Sequence, residues 1–123
     1  MEDFMTLFTG IEYYKRRNYD IKEIVEYAKN DNFTSILILE ERLRKPSGLW
    51  VIYLPEGPTT YFKLSSHKLI KNIVGHGRAA DCCPELILNN FDTKLGHRMG
   101  RMFAALFPPK PEFKMRRLIT FHN

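Results

Sequence analysis

The sequence predicts an α/β fold in which helices pack on a mixed β-sheet. Its apolar residues follow helical spacing in some stretches and form short strand-like runs in others, in the order helix, strand, helix, four strands, helix, strand. Two strand–helix–strand units, around residues 13–39 and 85–122, are compatible with a diverged duplication, although residue identity between them is negligible. A chain of 123 residues is long enough for one domain with its own core.

The first thirty residues predict two helices separated by an extended segment. Residues 1–11 have the apolar spacing of a short helix, and residues 13–19 are expected to form a short strand or an extended segment. Asp20 is predicted to cap the next helix, with Glu23 completing an acidic capping box, and Asn30 is a plausible left-handed stop. The predicted buried face of this helix consists of Ile21, Ile24, Val25 and Ala28.

The middle of the chain predicts an antiparallel meander attached to a central strand. The continuous apolar run within residues 33–39 is typical of a strand covered on both faces. Proline and glycine predict turns at residues 46–48 and 55–58, which bound strands at residues 49–54 and 59–64.

The last third predicts a strand, a helix and a final strand after a long connection. Residues 65–84 show no period and are expected to form that connection. Residues 85–90 form the next predicted strand, and Asp92 or Thr93 caps the helix that follows. The final predicted strand covers residues 117–122.

This helix is predicted to have three faces. The apolar side, expected to be buried against a sheet, consists of Leu95, Met99, Met102, Phe103 and Leu106. The basic side consists of Lys94, His97, Arg98 and Arg101. A stripe of small residues lies between them and consists of Gly96, Gly100 and Ala104. Because glycine costs a helix about 1 kcal/mol relative to alanine, the stripe indicates close approach to either a neighbouring strand or a nucleic-acid backbone. A solvated surface helix is the alternative interpretation of the basic side.

The excess of positive over negative charge lies entirely in the later part of the chain. Residues 1–50 contain 8 Lys and Arg against 9 Asp and Glu, whereas residues 51–123 contain 11 against 5. This distribution is typical of one surface that faces a polyanion.

Two further basic groups are candidate RNA contacts. Lys15, Arg16 and Arg17 lie among tyrosines, and unpaired RNA bases stack on aromatic rings while cations follow the backbone. The alternative there is a strand with some tyrosines in the core, and at least one tyrosine is expected to be buried. Arg116 and Arg117 enter the last strand, where the alternative role is to keep a strand edge soluble.

The sequence offers little support for catalysis, a metal or a membrane. Cys82 and Cys83 are adjacent and are expected to be reduced thiols, and their spacing does not suit structural zinc. We expect no leader peptide, and the sequence has no apolar run of 18 residues, no two carboxylates at a plausible metal-binding spacing and no phosphate-binding loop. We therefore expect no enzyme activity, cofactor, metal, small-molecule substrate, membrane partner or homo-oligomer.

Several spaced motifs resemble those of the Brix domain family. The family-wide elements are Gly57-Pro58-Thr59, Tyr61-Phe62, Leu64, Phe91, Thr93, Leu95-Gly96, Arg98 and Leu106-Phe107-Pro108. Other segments resemble one subfamily within that family, and these are residues 13–18, 84–91, 111–114, Arg117 and 120–123. The resemblance extends over nearly the whole chain.

The resemblance implies both a fold and a function. The fold is an α/β domain with two similar halves, related to the anticodon-binding domains of class II aminoacyl-tRNA synthetases. The function is that of a nucleolar assembly factor of the large (60S) ribosomal subunit, which binds pre-rRNA beside other pre-60S factors and supports its processing without cutting it. A module that binds only proteins, or an inactive shortened form, are the alternatives.

The same resemblance predicts a single, incomplete domain over residues 1–123. Its approximate halves are residues 1–64 and 85–123, joined by the connection 65–84. Relative to the family, the chain is expected to begin within the first helix and to stop before a further helix and strands.

Overall fold

The computed structural model describes residues 1–78, 82–109 and 117–123 and confirms an α/β fold. Its helices are α1 (Glu2–Leu7), α2 (Ile21–Asn30) and α3 (Lys94–Ala105), with a short 3₁₀ turn at Ile70–Asn72. Its strands are β1 (Ser35–Arg42), β2 (Lys45–Tyr53), β3 (Thr59–Lys63), β4 (Glu85–Asn89) and β5 (Leu118–His122).

The chain divides into two compact units. The sheet unit is Tyr14–Leu69 and contains α2 with an antiparallel sheet of order β1-β2-β3. The βαβ unit combines Met1–Tyr13 with Ile70–Asn123 and contains a parallel pair of β4 and β5. The strands of the described residues thus form two separate sheets, where the sequence predicts one mixed sheet. The predicted halves 1–64 and 85–123 stay a prediction, and within the structure α1 groups with the later residues.

The start of α2 follows the predicted capping box. The Asp20 side chain accepts from the backbone at Glu23, and the Asp20 amide donates to Glu23 Oε2 at 2.9 Å. The predicted apolar face is half-buried rather than buried. Helix α2 ends at Asn30, as the sequence predicts, but the left-handed residue is Asn32, with φ of 59°, and not Asn30.

Of the two alternatives predicted for residues 13–19, a short strand or an extended segment, the strand does not form. Residues 11–16 have no regular secondary structure, and Arg17 has a φ of 49° in a turn. The tyrosines at positions 13, 14 and 19 are 49%, 67% and 44% exposed. None of them is buried, which contradicts the expectation that at least one lies in the core. The first predicted strand–helix–strand unit therefore lacks its first strand, while its helix and its second strand form as α2 and β1.

The meander is confirmed, with two corrections. The apolar strand β1 lies at the edge of its sheet and β2 lies in the centre. The apolar run did not reveal this, because a half-buried edge strand can be as apolar as a covered one. The turn between them is Leu43–Arg44, and the predicted turn residues 46–48 lie within β2. Gly48 is needed there because a side chain would collide with the ring of Tyr61. The turn at residues 55–58 and β3 are confirmed.

In the βαβ unit, α3 connects the two parallel strands. Leu86 pairs with Ile119 and Leu88 with Phe121. The ring of Phe103 stacks on Phe121 with centroids 4.2 Å apart, which places one side of α3 over the strand pair.

Helix α1 is fixed to the end of α3. The ring of Phe8 stacks on buried Phe107 with centroids 5.1 Å apart. The Arg117 side chain donates to the carbonyl of Thr6, and Asp3 Oδ2 accepts from the Ile70 amide at 3.0 Å. These contacts explain why α1 belongs to the βαβ unit.

Candidate nucleic-acid interface

Helix α3 begins at Thr93 and turns its glycines towards the protein. Thr93 Oγ1 accepts from the Gly96 amide at 2.9 Å, which selects Thr93 over Asp92 as the cap. A β-carbon on Gly96 would lie 3.1 Å from the Phe91 backbone, and one on Gly100 would lie 3.4 Å from Leu88 Cδ1. Both glycines are buried, so the close approach predicted from them is to the neighbouring strand and its loop.

The apolar side of α3 is confirmed except at its first turn. Met102 is buried, and the predicted partners at positions 99, 103 and 106 are half-buried. Leu95 is 66% exposed, which contradicts the prediction. At 100° per residue Leu95 lies within about 20° of buried Met102, so its exposure follows from its place in the first turn of the helix and not from its angular position.

The basic side of α3 points to solvent. Its members are Lys94, His97, Arg98 and Arg101, and all four are exposed. They occupy an arc of about 100° on the helix and, with Leu95, line a shallow concavity of 710 Å³. No Asp or Glu occurs within α3. We call these four residues the α3 basic face.

The charge of this face opposes the stability of its own helix. Lys94 occupies the first helical position and the first turn contains no acidic residue. Backbone amides already make a helix N-terminus partly positive, so cations there are unfavourable for the helix and favourable for a bound anion.

A smaller concavity of 370 Å³ adjoins the α3 basic face. It shares His97 and Arg101 with that face, and its other lining residues are Leu88, Asn90, Phe91, Asp92, Gly100 and Ala104. An apolar floor beside amide, carboxylate and cationic groups can hold a planar polar group next to a phosphate.

The basic segment Lys15, Arg16 and Arg17 lies in the sheet unit and is exposed. Arg16 Nε donates to the Tyr19 carbonyl at 3.3 Å, which closes a small turn. The exposed ring of Tyr19 meets the edge of Tyr27 with centroids 5.9 Å apart. Cations and accessible rings are therefore adjacent here, as the sequence predicts.

The last pair of candidate cations is not grouped with the α3 basic face. Arg117 is half-buried and reaches the carbonyl of Thr6 in α1. This contact gives Arg117 a structural role within the βαβ unit. Arg116 lies outside the described residues.

One charged and aromatic cluster is not predicted from the sequence. Trp50 Nε1 and the Tyr61 hydroxyl both donate to the Glu40 carboxylate, at 2.9 and 3.2 Å. Partial desolvation and then the Glu40 carboxylate raise the pKa of the Tyr61 hydroxyl. The sequence gives no local signal for this cluster, because Glu40, Trp50 and Tyr61 lie on three different strands.

Within residues 1–78, 82–109 and 117–123, no three His, Cys, Asp or Glu side chains come together as a metal site. Cys82 and Cys83 are present as thiols. In the same part of the chain, no helix combines the length and the apolar character needed to cross a bilayer.

The chain is similar to known proteins over its whole length. The sequence profile of the family described as Brix domain matches residues 1–123. Ribosome production factor 1 of Saccharomyces cerevisiae is 48% identical over 118 residues, which is 95% of this chain and 40% of that protein. Probable ribosome production factor 1 of Drosophila melanogaster is 49% identical over 109 residues, 88% of this chain and 28% of that protein. Ribosome production factor 1 of Mus musculus is 42% identical over 123 residues, 99% of this chain and 35% of that protein.

Proposed function

Because the chain belongs to the Brix domain family, we propose that it is a non-catalytic ribosome biogenesis factor that binds pre-rRNA. In this proposal it supports processing of that RNA and assembly of the large (60S) ribosomal subunit. Its partners are pre-rRNA and other pre-60S assembly factors, and its location is the nucleolus. The similar proteins of Saccharomyces cerevisiae and Drosophila melanogaster are named as ribosome production factors, which supports a role in ribosome production.

The α3 basic face is the observation that carries the RNA-binding proposal. Its four residues are exposed together on a helix whose opposite side packs on β4 and β5. Arginine presents a planar fork of donors that matches phosphate, and lysine adds a mobile charge. A cation at the partly positive N-terminus of a helix is repelled by the helix dipole, and a bound phosphate relieves that repulsion.

The segment Lys15–Arg17 supports single-stranded RNA as the ligand. Its cations lie beside the exposed rings of Tyr14 and Tyr19. Cations follow the sugar–phosphate backbone while rings receive unpaired bases, and this combination is typical of single-strand binding.

Binding of the purified chain to a single-stranded RNA oligonucleotide tests the proposal. We expect log affinity to fall linearly with log salt, because each neutralised phosphate releases counterions. The triple variant Lys94→Ala, Arg98→Ala and Arg101→Ala is expected to bind at least about tenfold more weakly at moderate salt. Its salt slope should fall by about 0.7 for each phosphate that the variant no longer neutralises.

A matched triple variant controls for loss of charge alone. Lys22→Ala, Lys29→Ala and Lys68→Ala removes the same three charges from exposed positions elsewhere, and its affinity should stay within about twofold of the parent. Equal effects of the two variants, with circular dichroism unchanged in both, would overturn the assignment of the RNA site to α3. Gradient sedimentation of tagged chain adds a second readout: association with pre-60S particles without RNA affinity would favour a protein-binding module.

A further inference from the structure

The tip of the β1–β2 hairpin is built from residues that do not favour its own backbone. Arg42 pairs with Lys45, and the two residues between them, Leu43 and Arg44, have φ of 52° and 60°. Positive φ at both central residues is the signature of a type I′ turn, for which Asn-Gly is the preferred pair. Leu43 is also 90% exposed. A turn with positive φ at two residues that disfavour it, one of them an exposed leucine, is costly for folding, which points to a role outside folding.

Positive charge is concentrated at this end of the sheet. Arg42, Arg44 and Lys45 are exposed at the tip, and exposed Lys63 lies opposite Gly48 at the end of β3. The two nearby carboxylates are those of Glu40 and Glu41. Glu40 has both oxygens engaged by hydrogen bonds, one from Trp50 and one from Tyr61. Four cations therefore face two carboxylates.

An aromatic surface adjoins these cations. The rings of Trp50 and Tyr61 lie with centroids 4.8 Å apart at 50°. The Tyr61 ring also lies across Gly48, where a β-carbon would come within 2.7 Å of its Cε2 atom. Tyr61 is nevertheless 46% exposed. Because Glu40 and Gly48 fix its orientation, the ring is held ready for a stacking partner without an ordering cost on binding.

We propose that this hairpin end of the sheet unit is a further RNA contact, in which the tip cations hold phosphates and Tyr61 stacks on an unpaired base. The inference rests on the proposed function and adds a further contact for single-stranded RNA, at residues outside α3 and outside Lys15–Arg17. Cations beside a fixed, accessible ring match a nucleotide, which presents a phosphate and a flat base together. An acidic protein segment would use the cations but would have no need of the ring.

The decisive variant makes the hairpin more stable while removing its proposed contacts. Leu43→Asn with Arg44→Gly installs the preferred type I′ pair, so the melting temperature should rise. We expect this variant to bind a single-stranded oligonucleotide at least about threefold more weakly, with a salt slope lower by about 0.7. Weaker binding by a more stable protein excludes misfolding as the cause.

Tyr61 tests the stacking role separately. Tyr61→Leu should weaken binding of single-stranded RNA about fivefold or more and leave binding of a duplex of equal length unchanged. Tyr61→Phe keeps the ring and removes the hydrogen bond to Glu40, so it should bind single-stranded RNA more tightly than Tyr61→Leu does.

The outcomes separate this inference from the proposed function. If the hairpin and Tyr61→Leu variants bind like the parent while the α3 triple variant does not, the inference fails and the proposed function stands. If polyglutamate displaces the hairpin from RNA and binds equally well, the surface is one for acidic proteins and the inference fails. If the parent chain has no salt-dependent affinity for RNA, both fail.

Discussion

Helices α2 and α3 are of similar length but follow opposite rules at their N-termini. In α2, Glu23 lies in the first turn and completes a capping box with Asp20, and Lys29 lies in the last turn. In α3, Lys94 occupies the first helical position, no acid lies in the first turn, and two glycines interrupt the interior. The first arrangement complements the helix dipole and the second opposes it.

The difference indicates what each helix contributes. The residues of α2 are arranged for local stability, and none of them is buried. Helix α3 compensates for its poor local stability by packing, since Gly96, Gly100 and Met102 are buried. A segment that violates local rules and survives by tertiary contacts is expected at a functional surface.

The largest expected difference between α2 and α3 is in how much the loss of one packed side chain destabilises the protein. Met102→Ala should lower the free energy of unfolding by about 2–4 kcal/mol, because it removes a buried side chain and leaves a cavity. Ile24→Ala in α2 should cost roughly half as much, since Ile24 is half-buried. Urea denaturation followed by circular dichroism measures both. Equal decreases would show that α3 is no more dependent on packing than α2.

Alanine substitutions at the two glycines of α3 should change the stability of the protein by intermediate amounts that differ between the two positions. Gly100→Ala should stabilise the protein by about 0.5–1 kcal/mol, because the new β-carbon meets Leu88 and Phe91 at ordinary contact distances of 3.4 and 3.7 Å. Gly96→Ala should not stabilise it, since its β-carbon would lie 3.1 Å from the carbonyl carbon of Phe91, a backbone atom. Thermal denaturation of the two variants decides the point, and stabilisation by both would mean that neither glycine serves close packing.

The smallest effect concerns charge at the first turn. Lys94→Glu should stabilise the protein by about 0.3–1 kcal/mol through the helix dipole while weakening RNA binding. Lys22→Glu makes the corresponding change at the second position of α2 and should give a similar gain in stability without weakening RNA binding. Urea denaturation measures the stabilities, and a salt titration of RNA binding measures the affinities. A Lys94→Glu variant that binds RNA as tightly as the parent would place the RNA contact elsewhere than this end of α3.

Sequence reasoning succeeded where near neighbours control the structure. The capping box at Asp20 and Glu23, the cap of α3 at one of the two predicted residues Asp92 and Thr93, and the exposed arc of the α3 basic face all depend on residues within one or two helical turns. It failed for Leu95 and for residues 13–19, because the buried direction of a helix and the formation of a strand depend on partners elsewhere in the chain. It also misplaced the first hairpin turn, since Leu43 and Arg44 do not have the residue types that such a turn prefers.

The amino-acid sequence by itself determined the α/β class, the helix caps and the concentration of cations on one side of α3. Only the tertiary structure decided that β1 is an edge strand, that the glycines of α3 face protein, and that Glu40 joins Trp50 to Tyr61. It also decided that the Arg117 side chain donates a hydrogen bond to the carbonyl of Thr6 in α1, which lies 111 residues earlier in the chain. The physical reason is one of range. Caps and helical faces arise from contacts within a few residues, whereas edges, close approaches and hydrogen bonds between distant side chains exist only after the chain has folded.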